Sequence, residues 1–291
     1  MTDQAQGLRN LVSNQHVQKS VKPTRILTVT SGKGGVGKSN FTLNFALTLQ
    51  KKGFDVLVFD ADIGLANIDV LMGVSAKYNL YHLLKKEKTI WEIIQRGPHD
   101  LQFIAGGSGF NDLIRLTDDQ LEYFADQVNQ LNGTVDFIIF DTGAGLSKET
   151  LKFILAAEET IVVTTPEPTS ITDAYAIIKM VNSMNEPVNF KLVVNRTTDS
   201  KEGKQTADKI IMVAKQFLHI DIPTLGFVDD DNNVSKAVKR QIPFTVAYPT
   251  SAASQSIYRL VDDFIARQTP TGEQQGAVKG FMSKMMRLLR H

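Results

Sequence analysis

The sequence predicts an α/β fold, a mostly parallel, doubly wound sheet with helices on both faces, and three observations predict it. Short runs rich in Val, Ile, Leu and Phe alternate with helical patterns, a glycine-rich loop joins the first run to a helix, and two later runs end in aspartate. Continuous apolar strands of this kind belong to parallel sheets covered on both faces. Ligands of such sheets lie outside the carboxyl ends of the strands.

The predicted strands are RILTVTS (25–31), DVLVFD (55–60), LQFIAG (101–106), DFIIFD (136–141), TIVVTT (160–165), FKLVVN (190–195) and IPTLGFV (222–228). Residues 1–24 are mostly polar, with a short apolar spacing at Leu8, Leu11 and Val12, and are expected to form an extension outside the core. The main domain is expected over 25–266, followed by a polar linker, RQTPTGEQQGA (267–277), and a terminal segment, 278–291. No internal repeat is visible.

Ser31 to Ser39 reads SGKGGVGKS. The phosphate-loop pattern G-x-x-x-x-G-K-[ST] is complete from Gly32 to Ser39, and it follows a strand and opens the helical run NFTLNFALTLQKK, the context that gives the pattern meaning. Gly32, Gly34, Gly35 and Gly37 let the backbone N–H groups around Val36 converge on phosphates, and the helix beginning near Asn40 adds partial positive charge. Lys38 is expected beside the phosphates and Ser39 on Mg2+. Lys33 is then surplus within one subunit.

A triphosphate site also needs carboxylates, and DVLVFDAD (55–62) and DFIIFDTGAG (136–145) bring them to the same sheet edge. Asp141 is expected behind the metal's direct ligands, Asp60 in the metal shell, and Asp62 far enough into its loop to orient an attacking water. Gly143 and Gly145 would sense the γ-phosphate. A helix N-cap or turn role is the alternative for Asp60 and Asp62.

KGGVGKS, DADIGLAN and DTGAGL together resemble the deviant Walker A ATPases, the family of MinD, ParA and the nitrogenase iron protein. The resemblance spans roughly residues 25–265. It implies ATP/ADP and Mg2+ as cofactors, slow hydrolysis to ADP and phosphate, and a homodimer formed with ATP. It also implies that Lys33 reaches across the dimer to the partner's phosphates, acting like an arginine finger supplied in trans. Asn195 and Arg196, after FKLVVN, match the adenine-contacting pair of this family; a turn cap is the alternative for Asn195. Phe227, Val228 and Asp229 would close the other side of the base pocket.

Composition narrows the branch. The chain has no cysteine, which excludes a thiolate-held metal cluster. Its 32 basic and 31 acidic residues leave a net charge of +1, so no nucleic-acid binding is expected. The N-terminal stretch is too polar for a secretory signal, and no apolar run reaches the roughly 18 residues that span a bilayer. A cytoplasmic location is expected, any membrane contact is then peripheral, and the terminal segment leads to the expectation that such contact is reversible and at the inner face of the membrane.

Around a helix, Val278, Phe281, Met282, Met285, Met286, Leu288 and Leu289 fall within roughly 160°, with Lys279, Lys284, Arg287, Arg290 and His291 opposite. That pattern reads as an interfacial helix for anionic lipid and resembles the membrane-targeting sequence of the MinD type. Docking on the protein's own core is the alternative. DQAQGLR (3–9) matches the D-Q-A-x-x-L-R motif of the FlhG (YlxH) group within this family, MinD-like ATPases that control flagellar number and placement. That resemblance implies that Asp3, Gln4, Ala5, Leu8 and Arg9 engage an FlhF-type GTPase of the signal-recognition class. It further implies that the protein contacts flagellar switch-complex (C-ring) proteins. A septum-site ATPase of the MinD type and a DNA-segregation ATPase of the ParA type are the alternatives.

Overall fold

The computed structural model describes residues 24–62, 67–107, 117–267 and 276–289. The N-terminal motif, most of the linker, Arg290 and His291 lie outside the described residues. Among the described residues eight strands form one sheet, in the order β3-β4-β2-β5-β1-β6-β7-β8. They are β1 (Arg25–Ser31), β2 (Val56–Ala61), β3 (Gln95–Arg96), β4 (Gln102–Ile104), β5 (Phe137–Ala144), β6 (Glu159–Thr164), β7 (Asn189–Thr197) and β8 (Thr224–Asp229). All pairings are parallel except β3 with β4. The seven predicted strands are present within a residue or two, except β5, which runs three residues further, through Ala144, and β4, which is shorter. Strand β3 is too short and too polar to leave an apolar pattern.

The helices in chain order are α1 (Lys38–Lys51), α2 (Ile68–Met72), α3 (Leu80–Leu84), α4 (Ile90–Ile93), α5 (Asp118–Asn129), α6 (Lys148–Ala156), α7 (Pro168–Asn182) and α8 (Ser200–Leu218). They continue with α9 (Asn232–Lys239), α10 (Phe244–Ala247), α11 (Ala252–Ala266) and α12 (Ala277–Leu289). Alternation along β1 sends Leu27 and Val29 into one apolar layer with α1 and α11, and Ile26 into the opposite layer with α3, α4, α5 and α12. Thr24, expected in the extension, is fully buried and its hydroxyl donates to the Val135 carbonyl at 2.7 Å, so the folded domain begins no later than Thr24.

Helix α12 corrects the expectation of a free apolar face. Val278, Phe281, Met282 and Met285 are buried in the layer on the Ile26 side of the sheet, and Met286 and Leu289 pack at its margin. Leu288 packs against the neighbouring cluster under α7 and α8. The Phe281 ring stacks on Phe140 with centroids 4.8 Å apart. A stripe of this width meets any apolar surface, and here that surface is the protein's own core.

Candidate nucleotide site

Strand β1 lies between β5 and β6, so its carboxyl end delivers the loop to the sheet edge where β2 and β5 also end. Asp60 of β2 and Asp141 of β5 are register partners, which places their carboxylates side by side. Gly37 precedes α1 with φ of 91°, a left-handed conformation for which glycine carries no steric penalty. A Cβ there would fall 2.4 Å from Asn195 Nδ2.

The cationic centre is Lys38. It is buried, and its Nζ lies 3.1 Å from Asp141 Oδ1 and donates to Ser39 Oγ at 3.1 Å. The Thr42 hydroxyl, one helical turn after Lys38, donates to the same Asp141 oxygen at 2.7 Å. Asp141 thus orients the lysine, and Thr42 orients Asp141. Thr42 had no place in the sequence reading, although its i+4 spacing from Lys38 puts both on one helix face.

Asp60 departs from its expected place. It is 1% exposed, does not line the cavity, and accepts from the backbone N–H groups of Asp62 (3.2 Å), Asn67 (2.9 Å) and Ile68 (3.0 Å). It ties the start of α2 to the end of β2, the turn role held open above. Burial, then repulsion from Asp141, raises its pKa to about 7. Because this folded value exceeds that of an unfolded aspartate, the native state takes up a proton between about pH 4 and 7, and stability falls as pH rises through that window. Thermal melts of metal-free protein are expected to show higher stability near pH 5.5 than near pH 8, and Asp60→Asn to remove most of that difference. A slope unchanged in the variant would reject the assignment.

Asp62 does face the cavity. Its Oδ1 lies 3.2 Å from where a Cβ on Gly143 would be, and burial raises its pKa against the lowering effect of Lys38. The cavity is about 790 Å3 and is lined among others by Gly34, Gly35, Lys38, Ser39, Asp62 and Gly143. A second cavity of about 700 Å3 is lined by Asn195, Val228, Asp229, Thr165, Pro166 and Asp231. Gly37, Asn40, Arg196 and Val238 line both, so the two join end to end.

The joined cavities, with glycines, Lys38, Ser39 and Asp62 lining one of them, have room for phosphates at the loop and a base beyond. Ser39 Oγ is the available side-chain oxygen for Mg2+, which ordinarily completes its shell with phosphate oxygens and waters. Among the described residues there is no cluster of His, Cys, Asp and Glu able to hold a metal alone. Asn195 braces the loop by donating from Nδ2 to the Val36 carbonyl at 2.8 Å, which leaves its carbonyl and one N–H for a base. Phe227 does not line the base cavity: alternation along β8 turns its ring to the opposite face, against Gly203 of α8.

Lys33 stands apart from its own loop. Its Nζ donates to Glu167 Oε2 at 3.0 Å and Thr169 Oγ1 at 2.9 Å, around the start of α7, and its side chain is 40% exposed. Glu167 and Thr169 were invisible to motif reading as partners of Lys33.

The fold and this loop define a P-loop nucleotide-binding protein. The family described as "ParA: NUBPL iron-transfer P-loop NTPase" matches residues 22–265. Iron transfer through thiolates does not extend to a chain without cysteine. The flagellum site-determining protein YlxH of Helicobacter pylori is 36% identical, over 100% of this chain and 99% of its own. The antiactivator FleN of Pseudomonas aeruginosa is 33% identical, over 87% of this chain and 91% of its own. The septum site-determining protein MinD of Pyrococcus horikoshii, solved in complex with Mg-ADP, superposes with a TM-score of 0.68 at 25% identity, over 83% of this chain and 96% of that one. The chain belongs to the MinD/ParA family of P-loop NTPases, in its FlhG (YlxH) group.

Proposed function

We propose that this protein is an ATP-dependent switch that regulates flagellar number and placement. With ATP and Mg2+ it forms a homodimer, and slow hydrolysis returns it to monomers. Gly32 to Asn40 cradle the phosphates, with Lys38 on the β- and γ-phosphates and Ser39 on Mg2+, which would neutralise charge developing on the transferred phosphoryl. Asp62 orients the attacking water, and Asn195, Arg196, Val228 and Asp229 hold the base.

The observation that carries the switch is the position of Lys33, whose ammonium sits outside its own phosphate cavity on an exposed rim. The output is supported by the 36% identity, across the whole chain, to a protein named for flagellum site determination. Partner choice rests on DQAQGLR (3–9), proposed to stimulate an FlhF-type GTPase, while another surface contacts flagellar switch-complex proteins. Helix α12, once released from the core, binds anionic lipid at the inner membrane face through Phe281, Met282, Met285, Met286, Leu288 and Leu289.

Solution mass measured with ADP and with ATP tests the switch: a monomer under both conditions rejects it. A peptide of residues 1–20 is expected to stimulate the partner GTPase without the folded core. Gln4→Ala with Leu8→Ala is expected to silence it, and an equally active double variant would dismiss the motif.

A further inference from the structure

The segment from Lys77 to Arg96 carries five basic residues, Lys77, Lys85, Lys86, Lys88 and Arg96, against two acidic ones, Glu87 and Glu92, in a chain whose net charge is only +1. The nucleotide site uses none of them. Ring contacts tie much of this segment into one surface. Lys77 and Lys88 lie over the Tyr78 ring at 5.1 and 4.7 Å, and Lys85 lies over Tyr81 at 5.4 Å. His82 sits edge-on to both tyrosines, at 5.4 and 6.2 Å. Lys86 reaches across to Tyr123 of α5 at 5.1 Å. Trp91, on α4, is 48% exposed, with its indole N–H held by Gln130 Oε1 at 2.9 Å.

The geometry points to this α3–α4 face as a second membrane contact, one that recognises the headgroups of an anionic bilayer; the inference rests on the membrane reading of α12. Lysine, tyrosine and tryptophan together suit the interfacial zone, where ammonium groups meet phosphates and amphipathic rings sit at headgroup level. Continuity argues the same way. The buried sides of α3 and α4 (Leu80, Leu83, Ile90, Ile93) belong to the same apolar cluster as Phe281 and Met282 of α12, with α5 touching both α3 and α12. Both features therefore lie on one side of the sheet, and a membrane that receives α12 meets the basic face beside it. Single-stranded nucleic acid fits less well, because base stacking needs open ring faces and Tyr78 is already covered by two lysines.

Trp91 is the sole tryptophan, so tryptophan emission, excited where tyrosine does not absorb, reports on this face alone. With the full-length protein, ATP and phosphatidylglycerol-containing vesicles, its emission is expected to shift to the blue and to be quenched by lipids brominated in the acyl chains. Pure phosphatidylcholine vesicles are expected to produce neither effect. Lys77→Gln with Lys85→Gln and Lys86→Gln is expected to weaken sedimentation with the anionic vesicles by about ten- to a hundred-fold, while ATP-dependent dimerisation stays unchanged.

Wild-type protein that sediments with unshifted, unquenched Trp91, together with a triple variant that binds as wild type, overturns this inference and leaves the α12 anchor standing. Wild-type protein that does not sediment at all overturns the anchor, and this inference with it. A triple variant that loses retention on DNA while keeping its vesicle affinity identifies nucleic acid as the occupant and also overturns it.

Discussion

Lys33→Ala is expected to bind ATP nearly as the unaltered protein does, yet to form no ATP-dependent dimer and to lose hydrolysis by about 10³-fold or more, the scale of a cation supplied in trans to a transferring phosphoryl. Binding survives because Lys38 and the loop amides are untouched, and Asp141 keeps Lys38 in place at 3.1 Å. Dimerisation fails because the ammonium that would meet the partner's phosphates is gone. In the monomer that ammonium rests on Glu167 and Thr169, at 3.0 and 2.9 Å. With side chains 40% and 57% exposed, such a pair is worth only about 0–1 kcal/mol, so releasing it costs little beside a triphosphate contact. Asp62→Ala is expected to separate the two steps, because it removes the carboxylate proposed to orient water and spares the phosphate cradle. It is expected to accumulate the ATP dimer without turnover. Equilibrium ATP binding, solution mass and phosphate release on both variants check the pair of expectations, and an ATP-dependent dimer of Lys33→Ala would remove Lys33 from its role in trans.

The residues that make the sheet were legible because a strand buried on both faces has to be continuously apolar, as FIIF in β5 and IVV in β6 are. The loop was legible because phosphate binding through backbone N–H groups requires glycines at fixed spacing before a lysine and a helix. Side-chain aim was less legible. Asp60 near the end of β2 and Asp62 just beyond it both lie at the ligand edge, but only Asp62 reaches the cavity, since three backbone N–H groups hold Asp60 inward. Phe227 and Val228 are neighbours in β8, yet Val228 lines the base cavity while the Phe227 ring packs against Gly203 of α8, a choice of side that strand identity by itself does not announce. The amphipathic pattern of α12 has a different limit. It states which residues share a face, and a lipid surface and a protein core ask for the same face.

Phe281→Glu with Met285→Glu is therefore expected to have two effects at once. Sedimentation with anionic vesicles is abolished, because a carboxylate at either position opposes insertion and repels the headgroups. The groove under α12 also opens, because Phe281 is 3% exposed and stacked on Phe140, and a charge cannot be buried there without large cost. Binding of a hydrophobic dye by the double variant reads the second effect without lipid. Wild-type α12 gains roughly 1.5–3 kcal/mol for each fully buried apolar side chain in the core, and a bilayer would offer comparable burial, so the proposed release exchanges two surfaces of similar value. Glu186, which holds Arg287 at 2.6 Å, favours the docked side. Glu186→Gln is accordingly expected to raise vesicle binding in the ADP state by a few-fold. Grafting residues 277–291 onto an unrelated obligate dimer separates masking from avidity. Two weak binders linked together gain about 10² to 10⁴ in avidity, so the graft binds vesicles constitutively. The native protein, with α12 covered by its own core, is expected to bind only when ATP releases the helix. Vesicle binding by wild-type protein that is equal with ADP and ATP would show that the docked helix exerts no control.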